Sequence, residues 1–180
     1  MAKPYFTGNV PGIKMAQVMT PEQMAKIIKK AKRKIVVTGA QLKEVNEAIK
    51  LADGAIIAAP NMLQAFKEKG ATPVAMNKVN ATNLLRDASN WKGLDGKGPY
   101  DMAIYMGSPY YYESQMLSCL KHFSSCKTIS ISRFYQPNAT YSFDNLSEKK
   151  WEQALADLLS SWRSRNGRKI PCRNRSRVRR

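Results

Sequence analysis

The chain has 180 residues, of which 43% are hydrophobic, and it carries a formal net charge of +17 at pH 7. This length and apolar content are enough for one domain with one core. No apolar run approaches the roughly 20 residues that a membrane-spanning helix needs, and the sequence does not open with an apolar segment followed by a small-residue cleavage site. We therefore expect a cytoplasmic protein with no membrane partner.

The positive charge is concentrated at the C-terminus. Residues 163–180 contain nine Lys or Arg and no acid, and without them the net charge is +8. A segment of this composition has little to bury, so we predict a solvated, disordered basic tail. The tail could bind nucleic acid or an acidic partner through its charge, or it could have no specific partner.

The first 19 residues contain Pro4, Gly8, Pro11 and Gly12, which interrupt regular structure. We predict an irregular N-terminal arm over residues 1–19. Its apolar side chains should pack either on the rest of this chain or on a larger partner.

The predicted domain covers residues 20–162 and begins at a helix signal. Thr20 stands at the N-cap, Pro21 in the first turn and Gln23 at the capping-box position, which is typical of a helix start. Short apolar runs then alternate with helical periodicity. The predicted strands are 35–39, 54–59, 72–76, 101–106 and 127–132, with a weaker sixth at 139–143. The predicted helices are 21–31, 42–52, 61–69, 82–89, 109–123 and 148–162.

Strands that are apolar throughout are typical of parallel sheets buried on both faces. Their alternation with helices indicates βαβ units, and right-handed crossovers between such units give a doubly wound sandwich. We therefore predict an α/β fold with a mostly parallel sheet in a three-layer, Rossmann-like arrangement.

Ligands of open parallel sheets bind beyond the carboxyl ends of the strands, where the strand order reverses. Gly39 and Gln41 follow the first predicted strand, Asn61 follows the second, and Gly107 and Ser108 follow the fourth. These are the predicted cofactor-binding residues, for a flavin (FAD) or nicotinamide nucleotide whose phosphates would face helix N-termini. The sequence has no G-x-G-x-x-G and no P-loop, so the alternative is that the glycines only make strand-to-helix turns.

We predict no catalytic residue and no metal site. His122 is the only histidine, and no base–orienter pair can be assembled for Ser108 or Cys119 as a nucleophile. The three cysteines lack the close pairing of zinc ligands. They are also one fewer than the four thiolates that usually hold an iron–sulfur cluster.

Aromatic side chains suggest a protein-binding surface. Three consecutive tyrosines begin a predicted helix, so their side chains point in different directions and cannot all enter one core. Tyrosine is enriched at protein interfaces. The predicted partner-facing residues are Tyr110, Tyr111, Tyr112, His122, Phe134 and Tyr135.

A specific resemblance lies in the block from Trp91 to Trp151. Its matching stretches are WKGLDG at 91–96, GPYD at 98–101, YYY at 110–112, LKHF at 120–123, KTIS at 127–130, PNA at 137–139, SF at 142–143 and NLSE at 145–148. Through them the chain resembles the epsilon subunit of the archaeal acetyl-CoA decarbonylase/synthase complex. The resemblance covers residues 3–162, and the basic tail departs from it.

The resemblance implies an accessory role. In that family the epsilon subunit joins a large alpha subunit in a two-alpha, two-epsilon carbon monoxide dehydrogenase component, which interconverts CO and CO2 within reversible acetyl-CoA cleavage and synthesis in methanogens. It implies that the nickel–iron–sulfur centres lie in alpha and that epsilon stabilises the assembly. It further implies a fold of the DHS-like NAD/FAD-binding type and a suspected link to flavin-dependent electron transfer.

Two other functions remain open from the residues themselves. A free-standing flavin or nicotinamide nucleotide-binding protein should be yellow or fluorescent when purified. A nucleic-acid-binding protein that uses its basic tail should show steeply salt-dependent binding, lost when residues 163–180 are removed.

Overall fold

The protein is described by a computed structural model that covers residues 15–52 and 54–163. Most of the predicted N-terminal arm, residues 1–14, and nearly all of the predicted basic tail, residues 164–180, lie outside the described residues. Both predictions therefore remain predictions.

In the described part of the chain, seven strands form a single sheet. They are β1 (Gln17–Val18), β2 (Lys34–Thr38), β3 (Ile56–Ala58), β4 (Val74–Ala75), β5 (Met102–Met106), β6 (Lys127–Ile131) and β7 (Tyr141–Ser142). Their order is β1-β7-β6-β5-β2-β3-β4, and every pair is parallel. The predicted α/β class and parallel sheet are confirmed.

Among the described residues, five α-helices connect consecutive strands and a sixth follows the last strand. They are α1 (Pro21–Lys30), α2 (Val45–Ala52), α3 (Leu63–Glu68), α4 (Lys78–Arg86), α5 (Tyr110–Phe123) and α6 (Glu148–Arg163), and a short 3-10 turn at Pro60–Met62 precedes α3. The predicted capping box of α1 is present, since Thr20 Oγ1 accepts from Gln23 N and Gln23 Oε1 accepts from Thr20 N. Helix α4 begins four residues before the prediction because the Asn77 side chain caps it by accepting from Asn80 N.

Helices cover both faces of the sheet. Along β2, Val36 packs into one hydrophobic cluster while Ile35 and Val37 pack into the other. This alternation follows from the period of two in a strand. The first cluster contains residues of α1, α2, α3 and α6, and the second contains residues of α4 and α5. The molecule therefore has three layers, as predicted.

The described end of the arm, residues 15–19, packs against this chain. Strand β1, which the sequence did not predict, pairs with β7 at the edge of the sheet. Ala16 is fully buried, and its N–H donates to the Tyr135 hydroxyl at 2.8 Å while its carbonyl accepts from the same hydroxyl at 3.0 Å. A two-residue strand has no periodicity to read, so only this long-range contact reveals it.

Tyr135 was predicted to face a partner, and that prediction is corrected. Its side chain is 2% exposed and lies inside the second hydrophobic cluster. The ring contributes to the core, and the hydroxyl secures the N-terminal strand.

Replacing Tyr135 by Phe should loosen this strand, because both polar groups of Ala16 would lose the same partner. Unsatisfied buried groups cost about 1–3 kcal/mol. We expect a free energy of unfolding lower by about this amount and faster hydrogen exchange at Gln17 N, which donates to Thr140 O. Tyr111→Phe is the matched control, since its ring is exposed. Equal stabilities for the two variants would contradict the assigned role of Tyr135.

The strand order reverses between β2 and β5. From β2 the chain builds β3 and β4 on one side, then returns to build β5, β6 and β7 on the other. The carboxyl ends of these two neighbouring strands are the place where such sheets bind ligands.

Candidate functional site

Two glycine turns meet at the reversal point, as the sequence predicted. Gly39 follows β2 and Gly107 follows β5. Gly39 N donates to Met106 O at 2.8 Å, and Gln41 N donates to Gly107 O at 3.2 Å. These bonds hold the two loops against each other.

The contact between the loops leaves no room for a ligand between them. A Cβ atom on Gly39 would lie 2.0 Å from Gly107 O, and a Cβ on Gly107 would lie 2.5 Å from Leu42 Cα. In a dinucleotide site the glycines leave space so that the pyrophosphate can approach the backbone. Here the neighbouring loop fills that space, so these two turns do not fit the phosphates of FAD or of a nicotinamide nucleotide.

Asn61 and Gln41 have different surroundings from those predicted for cofactor ligands. Asn61 is exposed and its Nδ2 donates to Ala40 O at 3.2 Å, which secures the turn after β2. Gln41 is also exposed. Its side chain borders a pocket on the β6 side of the reversal point.

This pocket has a volume of about 300 Å³. It lies beyond the carboxyl ends of β5 and β6 and beside the first turn of α5. We call it the edge pocket. Its lining residues include Gln41, Glu44, Ser108, Tyr110, Glu113, Arg133, Phe134 and Gln136.

Glu113 is the buried acid of the edge pocket. It is 3% exposed, and its Oε1 accepts from Ser130 Oγ at 2.6 Å. Burial raises the pKa of Glu113 to about 7, an increase that the hydrogen bond from Ser130 and the charge of Lys78 partly oppose. The carboxyl group therefore changes its charge near neutral pH.

Two further polar atoms of the pocket are buried and have no hydrogen-bond partner among the described residues. Gln136 is 1% exposed, and its Nε2 donates to Tyr110 O at 3.2 Å, but its Oε1 has no hydrogen-bond partner. Ser108 Oγ is in the same situation. Buried polar atoms are nearly always paired in folded proteins, so these two atoms are available to a hydrogen-bonding group that enters the edge pocket.

The structure separates the remaining predicted partner-facing residues into three places. Tyr110 and Phe134 border the edge pocket, and Tyr111 beside them is 72% exposed. His122 is exposed as well, but it lies at the other end of α5, roughly 17 Å away by helix rise. Tyr112 points inward, with Lys78 Nζ 5.1 Å from its ring centre.

Sequence reasoning did not identify Glu113, Gln136 or Arg133 as site residues. Glu113 follows three tyrosines in a helix, and its sequence position is typical of a solvated acid in the first helical turn. It stands three residues after Tyr110, however, so the two side chains lie on the same face of the helix. That spacing is the signal that could have identified Glu113. Gln136 and Arg133 stand in an irregular segment, for which the sequence offers no comparable indication.

The described residues contain no group of three or more His, Cys, Asp or Glu side chains arranged to hold a metal ion. Burial also raises the pKa of Cys126 to about 12, so this thiol is protonated at neutral pH and is a poor nucleophile. In the described part of the chain, none of the helices combines the length and the apolar character that crossing a bilayer requires.

The sequence and the structure were compared with known proteins. Residues 1–159 match the model of the family described as CO dehydrogenase beta subunit/acetyl-CoA synthase epsilon subunit. A solved structure of a probable oxidoreductase from Mycobacterium abscessus shows a TM-score of 0.38 at 15% identity, over 81% of this chain and 49% of that one. This structural similarity is too low to support any argument.

Curated relatives match most of the chain. The acetyl-CoA decarbonylase/synthase complex subunit epsilon 1 of Archaeoglobus fulgidus is 38% identical over 83% of this chain and 85% of its own length. The subunit epsilon of Methanothermobacter thermautotrophicus is 38% identical over 87% of this chain and 94% of its own length. The subunit epsilon 1 of Methanosarcina barkeri is 36% identical over 83% of this chain and 91% of its own length.

Proposed function

Since the chain belongs to the family of CO dehydrogenase beta subunits and acetyl-CoA synthase epsilon subunits, we propose that it is the accessory epsilon subunit of an acetyl-CoA decarbonylase/synthase complex. In this proposal it binds the large alpha subunit of a two-alpha, two-epsilon carbon monoxide dehydrogenase component in the cytoplasm. It stabilises that component, whose nickel–iron–sulfur centres interconvert CO and CO2 in the partner subunit.

One observation supports a docking role above all. Tyr110, Tyr111 and Phe134 are exposed large aromatic side chains on one edge of the molecule, around the edge pocket. We call these three residues the docking surface. Tyrosines at the centre of an interface contribute much of the binding energy in protein complexes, and a recess beside them gives a partner side chain a place to enter.

The proposal contains no flavin step. The turns at Gly39 and Gly107 pack on each other instead of leaving a phosphate cradle, which counts against a free-standing nucleotide-binding protein that uses these residues. A role for flavin-linked electron transfer would need a different site on the chain or on its partner.

Replacing Tyr111 by Ala should weaken assembly with the alpha subunit. The side chain is 72% exposed in the isolated chain, so the change should leave the fold intact. Removing an interfacial tyrosine side chain should cost about 2 kcal/mol of binding free energy, which corresponds to a roughly 30-fold weaker affinity. The measurement is anaerobic affinity capture of the full chain with the alpha subunit, followed by titration of the two proteins.

Phe123→Ala is the matched control, since Phe123 is 70% exposed but lies at the far end of α5. It should bind alpha like the wild type. Recovery of the wild-type chain alone, with no large carbon monoxide dehydrogenase subunit, would overturn the proposed function. Equal weakening by both variants would remove the docking surface from the proposal but leave the complex in place.

A further inference from the structure

We propose that the edge pocket receives a cationic side chain, a lysine ammonium or an arginine guanidinium, from the protein that binds the docking surface. This inference rests on the proposed function, because it names the chemistry of the partner at the same surface. It concerns a recess to which nothing in the family comparison assigns a ligand.

The first argument is the chemistry of the pocket lining. Glu113 and Glu44 contribute carboxyl groups and Gln136 contributes an unpaired carbonyl oxygen. These are hydrogen-bond acceptors, and two of them carry negative charge when ionised. A group with several N–H donors and a positive charge is the complement of such a lining.

The second argument is the orientation of Gln136. Its Nε2 donates to Tyr110 O, a carbonyl that can only accept, so the amide is oriented with Oε1 as the free atom. This acceptor is buried and unpaired, a condition that costs free energy in the isolated chain. A donor entering the pocket would remove that cost, which favours binding beyond the contacts made at the docking surface.

The groups around Glu113 determine how much of its negative charge is already compensated within the chain. Lys78 from α4 acts on it electrostatically, and Ser130 from β6 donates to it. The charge of Glu113 also acts on Tyr105 from β5. Tyr112, next to Glu113 on α5, has Lys78 Nζ 5.1 Å from its ring centre. Despite Lys78, the carboxyl group is not held in its ionised form at neutral pH. Lys78 therefore compensates the charge of the buried carboxylate only in part, and a cation in the pocket would add to that compensation.

Among the described residues, Arg133 is the one cation that lines the pocket, and it does not fill this role. Its guanidinium carbon lies 4.6 Å from the ring centre of Phe134, and the residue is exposed. This stacking places its charge at the rim, where water screens it. The volume of about 300 Å³ is at the lower end of small-ligand pockets, roughly 300–1,000 Å³, which suits one side chain better than a dinucleotide.

The first test needs no partner protein. The full-length chain is labelled with nitrogen-15 and titrated with N-acetylarginine amide, while the backbone signals of Ser108 and Tyr110 and the side-chain signal of Gln136 are followed. The neutral isostere N-acetylcitrulline amide is the ligand control. We expect saturable shifts with the arginine compound and affinity about tenfold lower for citrulline, since hydrogen bonds to charged groups are the stronger ones. Equal responses to both compounds, or no response at the pocket, would overturn the proposal.

The second test uses variants and pH. Arginine-amide binding should strengthen from pH 6 to pH 8, because Glu113 loses its proton across this range. Glu113→Gln should bind about tenfold more weakly at pH 8 and lose the pH dependence. Glu47→Gln, on α2 and outside the pocket lining, should behave like the wild type. A pH dependence that persists in Glu113→Gln would contradict the assignment.

The two proposals can fail separately. If the wild-type chain binds alpha but Glu113→Gln binds it equally well at pH 8, the cation site is wrong while the subunit assignment stands. If the chain binds arginine amide but no large subunit, the pocket chemistry stands and the proposed function fails.

Discussion

Glu113→Gln is expected to remove a loss of stability that the wild-type protein undergoes between pH 5 and pH 8. The folded-state pKa of Glu113 is about 7, against 4.5 for the unperturbed group. The folded protein therefore holds this proton more tightly than the unfolded chain does. The stabilisation is fully present below about pH 4.5 and is lost as the pH rises through 7.

The expected size of this effect is large for a single residue. A shift from 4.5 to about 7 corresponds to about 3 kcal/mol at most. Since the carboxyl group is almost completely buried, solvent screens this contribution little. Glutamine has nearly the same shape as glutamic acid, can still accept from Ser130 Oγ, and cannot ionise. The variant should therefore come closest to the wild type at pH 4.5 and below, and exceed it in stability at pH 8.

Urea unfolding at intervals from pH 4.5 to pH 8.5 measures the free energy of unfolding of both proteins as a function of pH. All other ionisable groups are shared by the two proteins, so the difference between their free energies of unfolding isolates Glu113. The analogous change Glu148→Gln, at an exposed position at the start of α6, is the control and should produce no such difference. A constant difference between wild type and Glu113→Gln over the whole range would show that the carboxyl group is not buried as described.

Gly39→Ala is expected to destabilise the protein severely. The added Cβ would lie 2.0 Å from Gly107 O, 2.6 Å from Gly107 C and 2.8 Å from Ser108 Cα. All three are backbone atoms, so no side-chain rotation can relieve the overlap. Overpacking usually costs about 1–3 kcal/mol and more where the surroundings are rigid, and we expect about 3 kcal/mol or more here.

Gly70→Ala provides the comparison. Gly70 has φ +76°, and a Cβ there would meet no atom within 4 Å, so the only cost is that of a left-handed backbone, roughly 1 kcal/mol. Thermal and urea unfolding of both variants and of the wild type give the loss of stability that each substitution causes. If Gly39→Ala were as stable as Gly70→Ala, the two loops at the reversal point would not be in contact, and the argument against a nucleotide between them would fail with it.

In the proposed assembly, the docking surface and the edge pocket would act together in binding the partner. The aromatic side chains offer apolar area, and the recess behind them offers acceptors that have no partner in the isolated chain. Both features lie on the same edge of the sheet. A partner that satisfied both would gain hydrophobic contact and a desolvated charge pair at one location, which is how interface hot spots usually combine.

Much of the fold could be predicted from the sequence because its signals are local. The capping box at Thr20 involves residues three apart, and the uniformly apolar run of β2 shows by itself that both faces of the strand are covered. The prediction that Gly39 and Gly107 lie at one edge followed from the parallel order of the strands. The strand at Gln17–Val18 and the start of α4 were missed because the first is too short for periodicity and the second depends on one side-chain cap.

The sequence alone determined that this is a parallel α/β protein and, through specific motifs, which family it resembles. The tertiary structure alone decided that Tyr135 is internal. It also decided that the buried Glu113 and the unpaired Oε1 of Gln136 belong to one pocket, and that the loops after β2 and β5 close on each other. The physical reason is range: propensity and periodicity act over a few residues, whereas these contacts join segments as far apart as Ala16 and Tyr135, and only the packed chain brings them together.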